Sequence, residues 1–319
     1  MGIYRRTVSF PNPIPKPTSK PKSYHVRSVS LPCGRTHPLI PQLRDEITEL
    51  RAWAGSGDGA GSARLVNGLA RLKSVLDSLD DVLQLPQTQD SLSTQNDIVE
   101  RLLEDFLKYV DVYEVFHSSM LGLKQEVSSA QMGIRRKDDS KLGLYVKAHK
   151  KIAGDVGKLI TTVGSIRNRS DGGGNVADFH DELSGVIRDV HGLIASVSEA
   201  VFGGVAGSYG PGRRPGWAGL GLRKVRKEGE NNGIEEFVKV LGGVENFLEL
   251  KKKKNNNICN KENKNNNNNN NNNEEVRMEV LKKMEEMEDC VGEMERESER
   301  VFRSLISNRV SLLNILTHA

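Results

Sequence analysis

The feature that most constrains this chain is a periodic apolar pattern near its C-terminal end. Eleven positions between residues 280 and 315 recur at alternating steps of four and three, and nine of them are apolar. They are Val280, Met284, Met287, Val291, Met294, Ser298, Val301, Leu305, Asn308, Leu312 and Ile315. This spacing predicts one continuous helix with a single apolar face, which we call the C-terminal seam. A face of that length must be covered, either by other helices of this chain or by a second chain.

Five upstream segments carry the same kind of stripe, and each is predicted to form a helix. Their core positions are Leu43, Ile47 and Leu50; Leu65, Leu69, Leu72, Leu76, Leu79 and Leu83; Leu102, Phe106, Val110, Tyr113, Met120 and Val127; Tyr145, Ile152, Val156, Leu159, Val163 and Ile166; Phe179, Leu183, Val186, Val190, Leu193 and Val197. Asp97 is a candidate N-cap for the third, and Pro86 is predicted to end the second. The sequence therefore predicts an all-α fold, an antiparallel bundle of about five to six long helices. We expect the C-terminal seam to dock against this bundle.

The remaining segments divide the chain into four parts. Residues 1–37 form a basic, Pro-rich arm that we expect to be disordered, and residues 38–202 form the helical bundle. Residues 203–273 form a Gly-rich, basic and Asn/Lys-rich linker, and residues 274–319 form the C-terminal helix that packs on the bundle. The linker contains one short helix, with Ile234, Phe237, Leu241, Val244 and Leu248 on its apolar face. Its nine consecutive asparagines predict a disordered spacer, because so polar a tract cannot offset the entropy of ordering.

Cysteine usage and hydropathy indicate the compartment. The three cysteines, Cys33, Cys259 and Cys290, lie far apart and suggest no disulfide framework, so a reducing compartment is expected. No run of eighteen apolar residues predicts a transmembrane helix. We expect an intracellular, cytoplasmic protein. A plastid location is an alternative because residues 1–41 carry seven basic side chains and no acidic one, and a membrane-peripheral location is another.

The patterns that usually carry catalysis or metal binding are weak in this chain. The pair Gly157-Lys158 lacks the spacing of a phosphate-binding loop. His25, Cys33 and His37 do not match a zinc spacing and lack a fourth ligand. His149 falls on the apolar face of its helix, which favours a core histidine over a general base. We therefore predict no catalytic, cofactor-binding or metal-binding residues and no small-molecule substrate.

One short motif in the basic arm is more specific. Arg27, Ser28, Ser30 and Pro32 give the Arg-Ser-x-Ser-x-Pro form that 14-3-3 proteins bind once the second serine is phosphorylated. A phosphate on Ser30 would pair with an arginine cluster in the partner, and the proline would direct the chain out of its groove. The alternative is that an Arg/Ser/Pro-rich arm contains such a string by chance. A 14-3-3 protein is thus a candidate partner.

A second basic group lies in the linker. Arg223, Lys224, Arg226 and Lys227 form a patch that could contact an anionic membrane surface. Nucleic-acid binding is disfavoured, since the basic residues are not interleaved with aromatic ones and lie on no recognisable nucleic-acid-binding module.

Four strings in the chain resemble a plant-specific domain-of-unknown-function family of helical proteins, distantly similar to the BYPASS proteins. The strings are Tyr24–Pro32, His37–Ile40, Asp80–Pro86 followed by Thr88 and Gln89, and the closing run from Met284–Cys290 to Arg309–Leu316. The resemblance implies a helical plant protein that has no assigned enzymatic activity and is associated with root and shoot development. It supplies no catalytic residues to transfer.

The function predicted from these observations is that of a non-enzymatic interaction or scaffold protein with unidentified protein partners. The alternative is a peripheral membrane protein that uses its basic arm or its basic patch. An enzyme with an unrecognised site is the least favoured reading.

Overall fold

A computed structural model of the chain describes residues 37–56, 61–172, 182–208, 233–258 and 266–318. These residues form eight α-helices and contain no strand. The helices are α1 (Leu39–Gly55), α2 (Ser62–Leu83), α3 (Pro86–Ser93), α4 (Asn96–Arg136), α5 (Asp139–Gly172), α6 (Glu182–Gly207), α7 (Glu235–Ile258) and α8 (Asn266–His318). The predicted all-α fold with a long C-terminal helix is confirmed. The expected disordered arm, apart from its last residue, lies outside the described residues.

The C-terminal seam lies on the inner face of α8. All eleven of its positions are buried, with exposed fractions of 3% or less. The helix packs along α4 on one side and along α2 on the other, so helices of the same chain cover the seam. The two polar seam residues donate their hydrogen bonds to different helices. Asn308 donates its amide to the backbone oxygen of Leu76 in α2 at 2.8 Å, whereas the Ser298 hydroxyl bonds back to the Glu295 oxygen of its own helix.

Five helices form a ring around the core, in the order α8, α4, α5, α6 and α2. Lys137 ends α4 in the left-handed region, with a φ of 61°, and so reverses the chain into the antiparallel α5. Aromatic side chains of α4 cross the interior of the ring to α6. The rings of Phe116 and Tyr113 lie 4.6 and 5.8 Å from that of Phe202, measured between centroids. These contacts fill the centre of the bundle with large apolar groups.

Besides the short α3, which contacts α2, α4 and α8, two helices lie outside the ring. The first, α1, packs on α2 and α6, and its Trp53 ring lies so close to Gly68 that a Cβ there would collide with it. The second, α7, packs on α8 and α5. Its start is tied to the end of α6, because the Ile234 N–H donates to the Ser208 hydroxyl at 2.8 Å. Near its other end, Lys251 pairs with Asp139 at the start of α5.

Helix α2 ends at Leu83, shortly before Pro86, as predicted, but two other features of the α2–α4 region differ from the sequence-based predictions. Pro86 is the first residue of the unpredicted helix α3, a position where the missing N–H of proline costs no hydrogen bond. The predicted capping role of Asp97 is wrong, because α4 begins at Asn96 with Gln95 in the N-cap position. Asp97 lies in the first turn, where its negative charge still favours the helix dipole.

Helix also extends into the segment predicted to be a linker. The glycines after residue 202 do not end α6, which continues to Gly207 because Val201, Phe202 and Val205 are buried and outweigh the low helix propensity of glycine. Helix α8 begins at Asn266, inside the asparagine run, rather than at residue 274. Phe179 and residues 209–232 lie outside the described residues. The four-part division of the chain stays a prediction.

Most of the predicted core positions are buried, and four are only partly so. These four are Leu102, Val110, Ile152 and Leu248, which pack against the core from its edge. Among the described residues, one helix is long and apolar enough to cross a membrane, the stretch Leu183–Gly207 of α6. Its most apolar window is 61% buried inside the bundle, which is the pattern of a core helix.

Candidate functional site

The candidate sites predicted from the sequence lie mainly in undescribed parts of the chain. The 14-3-3 motif (Arg27, Ser28, Ser30 and Pro32) and the basic patch (Arg223, Lys224, Arg226 and Lys227) are both outside the described residues. Of the rejected metal ligands, only His37 is described, and its Nδ1 accepts the Leu39 N–H at 3.4 Å. Within the described ranges, no group of three or more His, Cys, Asp or Glu side chains could hold a metal ion.

Among the described residues, the most deeply buried charge is that of Asp105, which α4 places in the ring interior with an exposed fraction of 6%. Its carboxylate lies 3.3 Å from Nε2 of His191 in α6 and pairs with the guanidinium of Arg169 in α5. Burial alone would raise the pKa of Asp105, but hydrogen bonds and charge from His191 and Arg169 hold it below its ordinary value. The carboxylate therefore stays ionised and joins three helices of the ring.

Hydroxyl groups near this charge cluster are engaged in packing contacts. The Tyr109 hydroxyl donates to the backbone oxygen of His191 at 3.4 Å, and Tyr113 shares a hydrogen bond with Ser198 at 3.0 Å. The Ser198 hydroxyl also donates to the Ile194 oxygen of its own helix at 2.6 Å. Burial raises the pKa of both tyrosines, so they remain neutral. Each of these groups joins helices to one another, and we assign the cluster a structural role.

The interface of α5, α7 and α8 contains a buried histidine. His149 is 2% exposed and lies between the rings of Tyr145 and Phe237, with centroid distances of 5.9 Å to each. Its Nδ1 has no hydrogen-bond partner among the described residues. Burial lowers the pKa of His149 to about 4, so the imidazole is neutral at physiological pH. This geometry agrees with the sequence-based interpretation of a core histidine.

We expect His149 to make the fold sensitive to mild acid. An unfolded histidine titrates near 6.5, so between that pH and about 4 the unfolded chain binds the proton first. The contribution of neutral His149 is complete above about pH 6.5 and falls as the pH decreases, by about 2 kcal/mol at pH 5. The free energy of unfolding is measured with urea near pH 7.5 and near pH 5, for the wild type and for His149→Leu. The decrease between the two pH values should be about 2 kcal/mol smaller for His149→Leu, which lacks the titrating imidazole. Equal losses in the two proteins would contradict the assignment.

A buried thiol also lies near the α7–α8 contact. Cys290 is 7% exposed, and burial raises its pKa to about 12, so it stays protonated and is a poor nucleophile. The neighbouring Ser62 hydroxyl donates to a carboxylate oxygen of Glu236 at 2.5 Å. These groups connect the starts of α2 and α7 to α8.

One surface feature with room for a ligand is an open groove between α7 and α8, with a volume of about 590 Å³. Eleven residues line it, and we call it the α7–α8 groove: Val238, Lys239, Gly242, Gly243, Asn246, Glu249, Leu250, Val276, Glu279, Val280 and Lys283. The floor is partly apolar, and Leu250 at the edge is 46% exposed. A Cβ added at Gly242 would meet no atom within 4 Å, so the groove is open above this glycine.

The charges around the α7–α8 groove are mainly negative. Lys239 and Lys283 pair at 2.6 Å with Glu235 and Glu279 of their own helices, whereas Glu249 makes no ion pair with a side chain that the structure describes. The pKa of Lys239 is raised, first by its hydrogen bond to Glu235 and further by the charges of Glu235, Glu236 and Glu286. Other acids of α8, such as Glu285 and Glu288, bond to side chains of α4 and do not line the groove.

Sequence reasoning did not identify the α7–α8 groove, although one signal was present. Gly242 and Gly243 interrupt the otherwise periodic apolar segment of α7. A glycine inside a helix costs about 1 kcal/mol relative to alanine, so a pair of them indicates a packing or binding reason. Gly243 packs against α8, where an added Cβ would lie 3.2 Å from Cγ2 of Val280, and Gly242 faces open space.

Comparison with known proteins gives one match. A family model described as Protein BPS1 matches residues 68–315, which extend from α2 into α8 and cover well over half of the chain. No curated protein and no solved structure matches the chain. The matched range includes the described parts of the α7–α8 groove and most of the helical ring, and it confirms the family resemblance that the sequence strings indicate.

Proposed function

The chain belongs to the Protein BPS1 family, and from that premise we propose that it is a non-enzymatic interaction or scaffold protein acting in root and shoot development. Family membership supports a developmental role in plants and brings no known enzymatic activity with it. The proposed binding surface is the α7–α8 groove, which would hold a segment of a protein partner.

The observation that supports this proposal most is the contrast between the groove and the interior. Asp105 and Tyr113, two of the buried polar groups, are engaged in contacts between helices. The α7–α8 groove instead leaves apolar and charged side chains open to solvent at a place where a glycine removes bulk. A concave, partly apolar surface with a few polar groups is typical of a binding site.

Proximity labelling in plant tissue tests the proposal. We expect Gly242→Leu, whose Cβ would meet no atom within 4 Å, to reduce labelling of specific partners by about tenfold relative to wild type. The matched control is Gly154→Leu on α5, because this exposed helical glycine also has no atom within 4 Å of an added Cβ. The control should label the same partners as the wild type. An identical partner set with Gly242→Leu would contradict use of the groove.

The alternative proposal, peripheral membrane association, predicts a different result. Salt-sensitive co-sedimentation with anionic liposomes that is lost when Arg223, Lys224, Arg226 and Lys227 are neutralised would favour it. Binding of a 14-3-3 protein through phosphorylated Ser30 and the cytoplasmic location also remain proposals. Neither proposal competes with use of the groove.

A further inference from the structure

We propose that the α7–α8 groove receives a positively charged amphipathic helix from another protein. This inference rests on the proposed function and specifies the partner of the same surface. It depends on the length of the groove, on the glycine in its floor and on the charge around it.

The dimensions and lining of the groove favour a helix over an extended peptide. Along α7 it runs from Val238 to Leu250, a length of about 18 Å, which matches three turns of a partner helix. An extended peptide needs a sheet edge for its backbone bonds, and the described residues contain no strand. A polyproline segment needs aromatic side chains in the groove, and the lining contains none.

The glycine pair permits close packing of a third helix. Helices pack at interaxial distances of about 8–10 Å, and the distance is shortest where small residues meet. Gly242 offers an open position with no side chain, while Val238, Val276 and Val280 supply apolar contact on either side. A partner helix would place apolar side chains at i, i+4, i+7 and i+11 into this floor.

The charge pattern specifies the outer face of the partner. With Lys239 and Lys283 paired to glutamates of their own helices, Glu249 is available to a positive group at the groove edge. Glu235, Glu236 and Glu286 lie close enough to the lining residue Lys239 to act on its charge, and such a group of acids attracts lysine and arginine side chains and disfavours acidic segments. A basic amphipathic helix therefore matches the groove in two ways: its apolar face fits the apolar floor, and its positive charges fit the acidic edge.

A stapled helical peptide of about fourteen residues tests this inference on the full-length chain. Its apolar face carries leucine and alanine at i, i+4, i+7 and i+11, and its other positions carry lysine. A sister peptide carries glutamate in place of lysine. Fluorescence anisotropy should show that the basic peptide binds at least about tenfold more tightly than the acidic one, with an advantage that decreases in high salt.

Variants of the full-length chain test whether the basic peptide binds in the α7–α8 groove. Gly242→Leu should weaken the affinity for this peptide by about tenfold, and Glu249→Lys should weaken it about threefold. The controls Gly154→Leu and Glu114→Lys, an exposed acid on α4, should leave its affinity unchanged. Glu249→Lys keeps the test decisive if Gly242→Leu lowers stability, since it alters only an exposed side chain.

Four results would overturn the inference. The first is equal binding of the two peptides, and the second is binding that is insensitive to both groove variants. The third is tighter binding after neutralisation of Arg223, Lys224, Arg226 and Lys227, which would assign the groove to the chain's own basic segment. The fourth is Gly242-dependent self-association, which would assign it to a second copy. If the peptides fail while plant labelling still depends on Gly242, the proposed function stands and only the helical partner is rejected.

Discussion

Leu305→Ala should lower the free energy of unfolding by about 2–5 kcal/mol, the largest effect we expect from a single change. Leu305 is fully buried on the C-terminal seam, where α8 packs against α2 and α4. Truncation removes apolar contacts and leaves a cavity between helices that are held in place by the rest of the ring. Guanidinium unfolding followed by far-UV circular dichroism measures the loss.

The adjacent residue gives the matched control. Ile306 is 39% exposed, so Ile306→Ala should change the free energy of unfolding by less than about 1 kcal/mol. A similar loss for the two variants would mean that the seam does not face the core. It would then have to be covered by a second chain, and the stability of the wild type would depend on protein concentration.

Asp105→Ala should cost about 3 kcal/mol near neutral pH, because it removes a buried carboxylate that joins α4, α5 and α6. His191, 3% exposed, would lose a charged partner in the interior, whereas Arg169 can still reach water. Asp111→Ala, an exposed acid on the same helix, is the control and should change stability by less than about 0.5 kcal/mol.

The pH dependence of this loss gives a second measurement. The folded-state pKa of Asp105 lies below its unfolded value near 3.9, so its contribution is complete above that pH and is lost as the pH falls toward the folded-state pKa. Urea unfolding curves of wild type and Asp105→Ala should therefore converge in acid. A difference that stays constant down to about pH 3 would assign the loss to packing rather than to charge.

The sequence alone predicted the elements of this fold better than their arrangement. Apolar spacing records burial directly, and the eleven seam positions are all buried in α8. Pro86 shows the limit of such reasoning, because a proline can end one helix or begin another, and here it begins α3. Local signals do not resolve that choice when the two helices are separated by so few residues.

The spacing of apolar residues does not predict contacts between residues that are far apart in the sequence. The hydrogen bond between Tyr113 and Ser198 joins positions that are 85 residues apart, and nothing near either residue specifies the partner. The shape of the α7–α8 groove depends on the orientation of α7. The hydrogen bond from the Ile234 N–H to the Ser208 hydroxyl helps to set that orientation. The glycine pair in α7 was visible in the sequence, but only the position of α8 shows which glycine packs and which faces open space.

Closure of the ring by α8 has a consequence for biosynthesis. Helices α2 and α4 are translated long before α8, yet α8 covers the inner faces of both. During synthesis, the part of α2 around Leu76 therefore stays uncovered until α8 is made, and exposed apolar surface of this kind makes a nascent chain prone to aggregation. A premature stop codon upstream of Val280 would leave α2 and α4 without the seam that covers them. Such an allele should yield a product that is removed by quality control rather than a shortened, working protein.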